Sequence, residues 1–445
     1  MTSASSVPGT LDTLAALRRG LARAGYSLLL RGVVPLYLLR VLWRGRREPL
    51  YAERMRERLG FSDRPLAPGA LWVHAVSLGE TRAAAPLLAA LREALPGVRI
   101  LLTHGTATGR AAGQALLGAG DAQRWLPFDT PGAVRRFLRD AEPAIGVLME
   151  TEIWPNLIAI AAEHGVPIVL ANARMSERSR RRGERVDALL RPAFERIAAA
   201  LAQSEADALR LRAAGVRDVT VVGNLKYDIA PDAALLARGR AWRAGLGRGV
   251  VMAASTREGE EAMLLAAWRA LPGSRPLLVV VPRHPQRFDA VGALIEAAGF
   301  GFARRSAWGD AAPPDDARRA DVWLGDSMLE MPAWYALADV ALLGGSFAPL
   351  GGQNLIEAAA CGCPIVMGPH TFNFSEAAAL ALAAGAATRV ADMAEGVAAA
   401  SALAGAGAEA QRAEQSHRAL AFAQAHRGAA ARMASRIAAE IPAPR

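Results

Sequence analysis

Two doubly wound parallel α/β sheets are the architecture that this 445-residue sequence predicts. Three observations carry the prediction. From residue 70 onward, short and continuously apolar runs alternate with stretches of Ala, Leu and Arg long enough for helices, which is how strands covered on both faces read. The series of strands stops near Val222 and restarts at Val250, so the chain holds two such sheets. The polar, glycine-bearing segments fall where a strand ends and a helix begins, the place where doubly wound sheets bind ligands.

Taken in order, the first set of strands is Leu71–Val76, Val98–Thr103, Trp125–Pro127, Ala144–Met149, Pro167–Leu170, Ala199–Gln203 and Val219–Val222, with a helix from near Thr81 after the first. Gly223–Pro231 reads as an interdomain linker. The second set is Val250–Ala253, Pro276–Val281, Asp321–Leu324, Val340–Leu343 and Pro364–Met367. The Ala/Gly-rich stretch 394–411 reads as helix plus loop. The expected divisions are a basic and apolar segment 1–50, a domain 51–222, a domain 223–425 and a helix or tail 426–445. Two such domains are expected to leave a cleft that their strand ends face.

Composition removes several classes. Apolar residues at 52% and charged residues at 21% exclude a disordered chain. Two cysteines exclude a disulfide framework. The net charge is +10, and of the 52 basic residues only Lys226 is not arginine. Eleven arginines against four acids lie in the first 60 residues, around an apolar stretch from Tyr26 to Trp43. No small-residue cleavage site follows it, which argues against a signal peptide. Arg31 and Arg40 each cost about 2.5–3.5 kcal/mol at the centre of a spanning helix. Snorkelling suits an interfacial helix better, with Arg44, Arg46 and Arg47 on anionic headgroups. An ordinary packed helix and a true span are the alternatives. No nucleic-acid motif accompanies the charge, and no nucleic-acid partner is expected.

The loops after the strands hold the candidate chemistry. In Val76-Ser77-Leu78-Gly79-Glu80 a carboxylate sits at a helix start, where it is either a capping acid or a base. Thr103–Gly109 combines glycines and small hydroxyls in an anion-accepting turn. Met149–Asn156 places Glu150 and Glu152 at a strand end, weak evidence for a metal. In the second half, Ala254–Glu260 resembles a phosphate-contacting turn. Pro282-Arg283-His284-Pro285 offers a cation and an imidazole, the latter either a ligand or a turn residue. Gly344-Gly345-Ser346-Phe347 follows, and Gly351–Glu357 opens a helix whose start accepts an anion while Glu357 accepts hydrogen bonds from hydroxyls. Neither a G-x-x-x-x-G-K-[ST] loop nor a G-x-S-x-G elbow occurs. Cys361-Gly362-Cys363 lacks a second pair and reads as small buried residues rather than a metal site.

The segments VSLGE (76–80), METEIWPN (149–156), ANARMSERS (171–179), GNLKYD (223–228), PRHPQRF (282–288), GDSMLE (325–330), GGSF (344–347), GGQNLIEAAA (351–360) and MGPHTFNF (367–374) together resemble those of the 3-deoxy-D-manno-octulosonic acid (Kdo) transferases, from about residue 26 to 425. The resemblance implies a GT-B glycosyltransferase at the cytoplasmic face of a bacterial inner membrane. It implies CMP-Kdo as donor, a lipid A precursor as acceptor, and inversion at the anomeric centre. Glu80 falls on the family's general base, and Glu152 and Lys226 on its charge-stabilising residues. The CMP contacts fall on Pro282 and Arg283, on Met328, Leu329 and Glu330, and on Asn354, Leu355, Ile356 and Glu357, with His284, Gly345 and Ser346 in the adjoining loops. Many members carry His where this chain has Gln353. With no Asp-x-Asp in the sequence, no metal and no cofactor are expected. A sugar-nucleotide epimerase of the same fold and a silent nucleotide-sugar binder are the rival readings.

Overall fold

The computed structural model describes residues 10–63, 66–309 and 312–442. Its strands form two sheets of seven, parallel throughout. The first comprises β1 (Leu71–His74), β2 (Ile100–His104), β3 (Ala122–Trp125), β4 (Ile145–Met149), β5 (Ile168–Ala173), β6 (Ala199–Ala202) and β7 (Val219–Val221), in the order β3-β2-β1-β4-β5-β6-β7. The second comprises β8 (Val250–Thr256), β9 (Leu277–Pro282), β10 (Phe302–Arg304), β11 (Val322–Leu324), β12 (Val340–Leu343), β13 (Ile365–Met367) and β14 (Ala387–Arg389), in the order β10-β11-β9-β8-β12-β13-β14. Each sheet therefore reverses direction beside its first strand, between β1 and β4 and between β8 and β12. Such reversals open a crevice at the strand C-termini.

The first sheet is buried on both faces. Trp72, Leu148 and Leu170 point to one core, and Val73, Val147 and Val169 to the other. The alternation along each strand, with both sides apolar, is why the sequence shows unbroken hydrophobic runs. In the second unit Val251, Leu278 and Leu342 pack with Trp268 from the helix Glu260–Ala270.

The chain divides into two units, one holding the first sheet up to Asp228 and taking back the chain from Gly428, the other running Ile229–Arg427. The turn Leu225–Asp228 belongs to the first unit because Leu225 is fully buried and Tyr227 nearly so. The Asp228 carboxylate accepts the Gly428 and Ala430 amides at the start of the helix Ala429–Ala439. Met433 and Ile437 of that helix fill the first sheet's second core. The first unit thus runs six residues beyond the expected boundary at 222.

Other departures concern edges. β3 lies three residues before the expected Trp125–Pro127, and β10 and β14 were not expected. All three border a sheet edge, where Gln123, Arg124 and Arg389 are tolerated and no continuous apolar run is needed. The stretch 394–411 becomes the helix Met393–Ala404, a short loop and the start of the helix Glu409–Ala425.

The N-terminal helix runs Thr10–Gly45, well beyond the apolar stretch, with Pro35 inside it. Tyr26 donates to Asp129 at 3.0 Å and Ser27 to Asn156 at 3.1 Å, fastening one side to the first unit. Leu14, Leu17, Leu21 and Leu28 on the helix are 59–68% exposed. Among the described residues it is the one helix long and apolar enough to cross a membrane, by length and composition.

Candidate active site

In the first unit, the loops after β1 and β4 meet at the strand-order reversal. Ser77 caps the helix Leu78–Ala94, accepting the Glu80 amide, while Glu80 reaches back. Its Oε2 accepts the Val76 amide at 2.9 Å and its Oε1 the Ser77 hydroxyl at 2.9 Å. This is a variant of the capping box, the carboxylate taking the amide before the cap and the cap hydroxyl, so Glu80 serves as a capping acid. The carboxylate is also chemically tuned. Burial raises its pKa; the Val76 amide and Ser77 hydroxyl oppose this in part, Glu150 adds to it, and the net shift is upward.

Glu152 is pushed up to about 7, by burial first and then by Glu80 and Glu150. Glu80 and Glu152 thus share one desolvated neighbourhood, with Glu150 adding to the upward shift of each. Lys226 faces them from the Leu225–Asp228 turn. Burial lowers its pKa, Glu150 raises it and Arg174 lowers it, leaving it below the usual lysine value. Glu80 and Glu152 thus act on each other directly, and Glu150 links both to Lys226.

The supporting geometry is local and strained. Glu150 and Asn172 adopt left-handed backbone, at φ 57° and 53°, a conformation costly for non-glycine residues and common at functional sites. Asn172, fully buried at the end of β5, accepts the Leu225 amide at 3.1 Å. Asn224 donates to Gln203 at 2.8 Å and accepts the Lys226 amide at 3.0 Å. These bonds fix where the lysine leaves the backbone. From sequence Glu150 stands out only as half of an acid pair weakly suggesting a metal, and Asn172, Asn224 and Arg174 do not stand out, although all four lie in the family-like segments.

The second unit builds its loops differently. Glu260 is fully buried. Its Oε2 accepts the amides of Arg257 at 2.9 Å and Gly345 at 2.6 Å. Its Oε1 accepts those of Phe347 at 3.1 Å and Ala348 at 3.3 Å. One carboxylate thus ties the loop after β8 to the loop after β12. A Cβ on Gly344 would lie 2.4 Å from the Ser255 carbonyl oxygen, so only glycine lets the two loops approach this closely. Glu261 accepts both terminal nitrogens of Arg287, at 2.6 and 3.0 Å, and fixes the loop after β9. Neither glutamate stands out in sequence, because most of their partners lie in other loops.

The remaining sequence candidates divide by exposure. Arg283 and His284 are exposed after β9, while Pro282 ends the strand inside. Slight burial, then Arg257, Arg283 and Arg287, lower the His284 pKa, keeping the imidazole neutral within a cationic cluster. Met328 and Leu329 are exposed, Leu329 with φ 67°. The Glu330 carboxylate is occupied by Arg305 at 2.7 Å, Arg238 at 3.1 Å and Ser327 at 2.5 Å. Burial alone raises it, but Ser327 and Arg305 outweigh burial and hold it below the usual glutamate value. The Gly345 amide is taken by Glu260, and the buried Ser346 hydroxyl donates to the Leu343 carbonyl while accepting the Gly368 amide. Asn354 caps the short helix Leu355–Ala360, leaving Leu355 and Ile356 buried and Glu357 half-buried. Arg283 and Glu357 both act on the buried Tyr335 phenol, so these two candidates converge. Among the described residues no group of three or more His, Cys, Asp and Glu is arranged to hold a metal ion.

Residues 53–229 match the family model described as 3-deoxy-D-manno-octulosonic-acid transferase (kdotransferase). A 3-deoxy-D-manno-octulosonic acid transferase of Bordetella pertussis is 48% identical over 427 residues, covering 93% of this chain and 98% of its own. One from Haemophilus influenzae is 36% identical, covering 79% and 83%. Among solved structures, Anabaena HepE in complex with UDP-glucose aligns with TM-score 0.55 at 14% identity, over 83% of this chain and 99% of its own. UDP-GlcNAc 2-epimerase from Neisseria meningitidis aligns with TM-score 0.53 at 14% identity, over 84% and 99%. At that identity the structures share the GT-B-like fold alone.

Proposed function

The chain belongs to the Kdo transferase family, and we propose that it moves Kdo from CMP-Kdo to a lipid A precursor of the lipid IVA type, inverting the anomeric centre and releasing CMP. The observation that carries this reading is the cluster of Glu80, Glu150, Glu152 and Lys226 at the strand-order reversal of the first sheet, with the carboxyl pKa of Glu80 and Glu152 raised by burial.

Glu80 takes the proton from the acceptor hydroxyl as its oxygen attacks C2 of Kdo. A raised pKa makes the carboxylate a stronger base towards that proton. Glu152, poised near 7, and the Lys226 ammonium balance the charge that shifts during transfer. The bond from C2 to the CMP phosphate breaks, and CMP leaves with the electron pair. In the second unit we assign CMP binding to Pro282, Arg283 and His284, to Met328, Leu329 and Glu330, to Gly345 and Ser346, and to Asn354 through Glu357. The engaged side chains of Glu330 and Ser346 favour loop placement as their contribution, with Arg283 supplying charge to the phosphate and the exposed Met328 and Leu329 an apolar surface. We assign a metal-independent reaction, since Lys226 and Arg283 supply positive charge. The N-terminal helix, with its exposed leucines and basic flank, supports attachment to the anionic cytoplasmic face of the inner membrane.

The test is incubation of the folded, detergent-dispersed protein with CMP-Kdo and the lipid precursor. The expected result is CMP release with a Kdo-sized mass gain on the lipid. Release of free sugar without lipid product would favour epimerase-like chemistry, and CMP-Kdo binding without turnover would favour a silent binder.

A further inference from the structure

Between the N-terminal helix and the first unit lies a groove of about 930 Å³. The helix lines it with Ala16, Gly20, Ala24 and Ser27, spaced one turn apart, while the leucines of the same helix point away. Small side chains at these positions hold the helix near the body without filling the space beneath it. Pro155, Ala159, Leu189 and Pro192 form the opposite wall.

Its charge is one-sided. Arg19, Arg23, Arg196 and Arg217 line the groove against Glu195 alone. Arg19 pairs with Glu195 at 3.1 Å, and Arg23 reaches Glu163 at 3.2 Å. Arg196 donates to the Pro192 carbonyl oxygen, and neither it nor Arg217 meets a carboxylate among the described residues. A matching occupant carries negative charge for these two guanidiniums and an apolar portion for the alanine and proline walls. Free phosphate has the first and lacks the second, and the groove is many times its size.

We propose that the groove seats one anionic phospholipid of the bilayer, its phosphate facing Arg196 and Arg217 and its chain lying along the Ala16–Ala24 face. This rests on the reading of the helix as membrane-associated. The lipid then wedges the helix against the first unit, so that membrane binding and helix placement are one event. The site is separate from Glu80, Glu152 and Lys226, none of which lines it.

The test uses the full chain, delipidated in detergent and offered phosphatidylglycerol or phosphatidylcholine with identical chains, with bound lipid read by native mass spectrometry. One phosphatidylglycerol is expected to be retained about tenfold more tightly than phosphatidylcholine, as expected for one charge-assisted contact. Arg196→Gln with Arg217→Gln should abolish that preference while transfer to a dispersed acceptor continues unchanged. Ala24→Trp, which fills the groove, should weaken both lipids. Equal retention of the two lipids by the wild type, or unchanged preference in the double variant, overturns the inference. So does displacement of the lipid by excess inorganic phosphate or by the lipid A precursor, which would mark a free-anion or an acceptor site. Flotation with phosphatidylglycerol vesicles separates the two readings. A protein that floats yet retains no lipid refutes the groove alone, and one that does neither refutes membrane association as well.

Discussion

Glu80 and Glu260 occupy equivalent places in the two units. Each follows the first strand of its sheet, opens a helix, and stands where the strand order reverses. What they meet there differs. Glu80 has one amide and one hydroxyl, its pKa is raised by burial and by Glu150, and it in turn raises that of Glu152. Glu260 has four backbone amides and no solvent. A buried carboxylate that takes four backbone donors ties the loops carrying them together. One that shares its pocket with other carboxylates holds its proton more readily, and so can exchange it. The same position in the same topology therefore gives the proposed base in one unit and, in the other, an anchor for the loops proposed to bind CMP.

The comparison breaks most sharply through Glu80→Gln. Removing a general base costs about 10²–10⁴-fold in rate, so transfer should fall about a thousandfold while CMP affinity and melting temperature stay near wild type. A single-turnover assay beside a CMP titration checks both parts. Glu260→Ala should do the reverse. It strands four amide donors, two buried and two part-buried, at about 1–3 kcal/mol for each buried group left unsatisfied, offset where water enters the space. A loss of about 3–5 kcal/mol in a denaturant melt is expected, with CMP affinity falling alongside. Normal CMP binding by a folded Glu260→Ala protein would remove Glu260 as the anchor.

Lys226→Arg is milder. The charge stays, but a planar, longer guanidinium replaces a compact ammonium in a half-buried site. A drop in kcat of about thirtyfold is expected, near 2 kcal/mol, with little change in the KM for CMP-Kdo. Turnover at the wild-type rate would make the single lysine of this arginine-rich chain incidental.

The smallest effect is on stability at Glu152. Its folded pKa of about 7 lies above the ordinary 4.5, so the folded state holds this proton more tightly than the unfolded state. The contribution is most favourable below pH 4.5 and is lost as pH rises through 7. Glu152→Gln should therefore gain about 1 kcal/mol over wild type at pH 8 and less at pH 5, while transfer slows. Melting curves at the two values check the sign.

Much of this arrangement is legible in the sequence, and the gaps have physical causes. The interior strands show themselves because Leu71–Val73, Ile145–Met149 and Leu277–Val281 are covered on both faces. The edge strands Phe302–Arg304 and Ala387–Arg389 have three partly exposed residues each and leave no such trace. For β3, apolar Leu126-Pro127 draws the eye, while the paired residues include polar Gln123 and Arg124. Glu80 is visible because a capping box is local, with Ser77 three residues away. Glu260 is not, since three of its partners lie 85–88 residues on. Distance in sequence likewise hides the engagement of Glu330 by Arg238, 92 residues away, and by Arg305, 25 residues away, which makes it part of a salt-bridged loop. Lys226 stands out by count alone, and the turn that carries it reads as a linker until Leu225 is seen buried in the first core.

Glu80, as proposed, is a base tuned by burial among carboxylates. The pH dependence of kcat/KM for Kdo transfer, measured for the wild type and for the residual activity of Glu80→Gln, tests it directly. The wild type is expected to show a limb that rises with pH, with its midpoint above 4.5, and that is absent from the variant. A rising limb that survives in Glu80→Gln with the same midpoint would assign the base to another residue and contradict it.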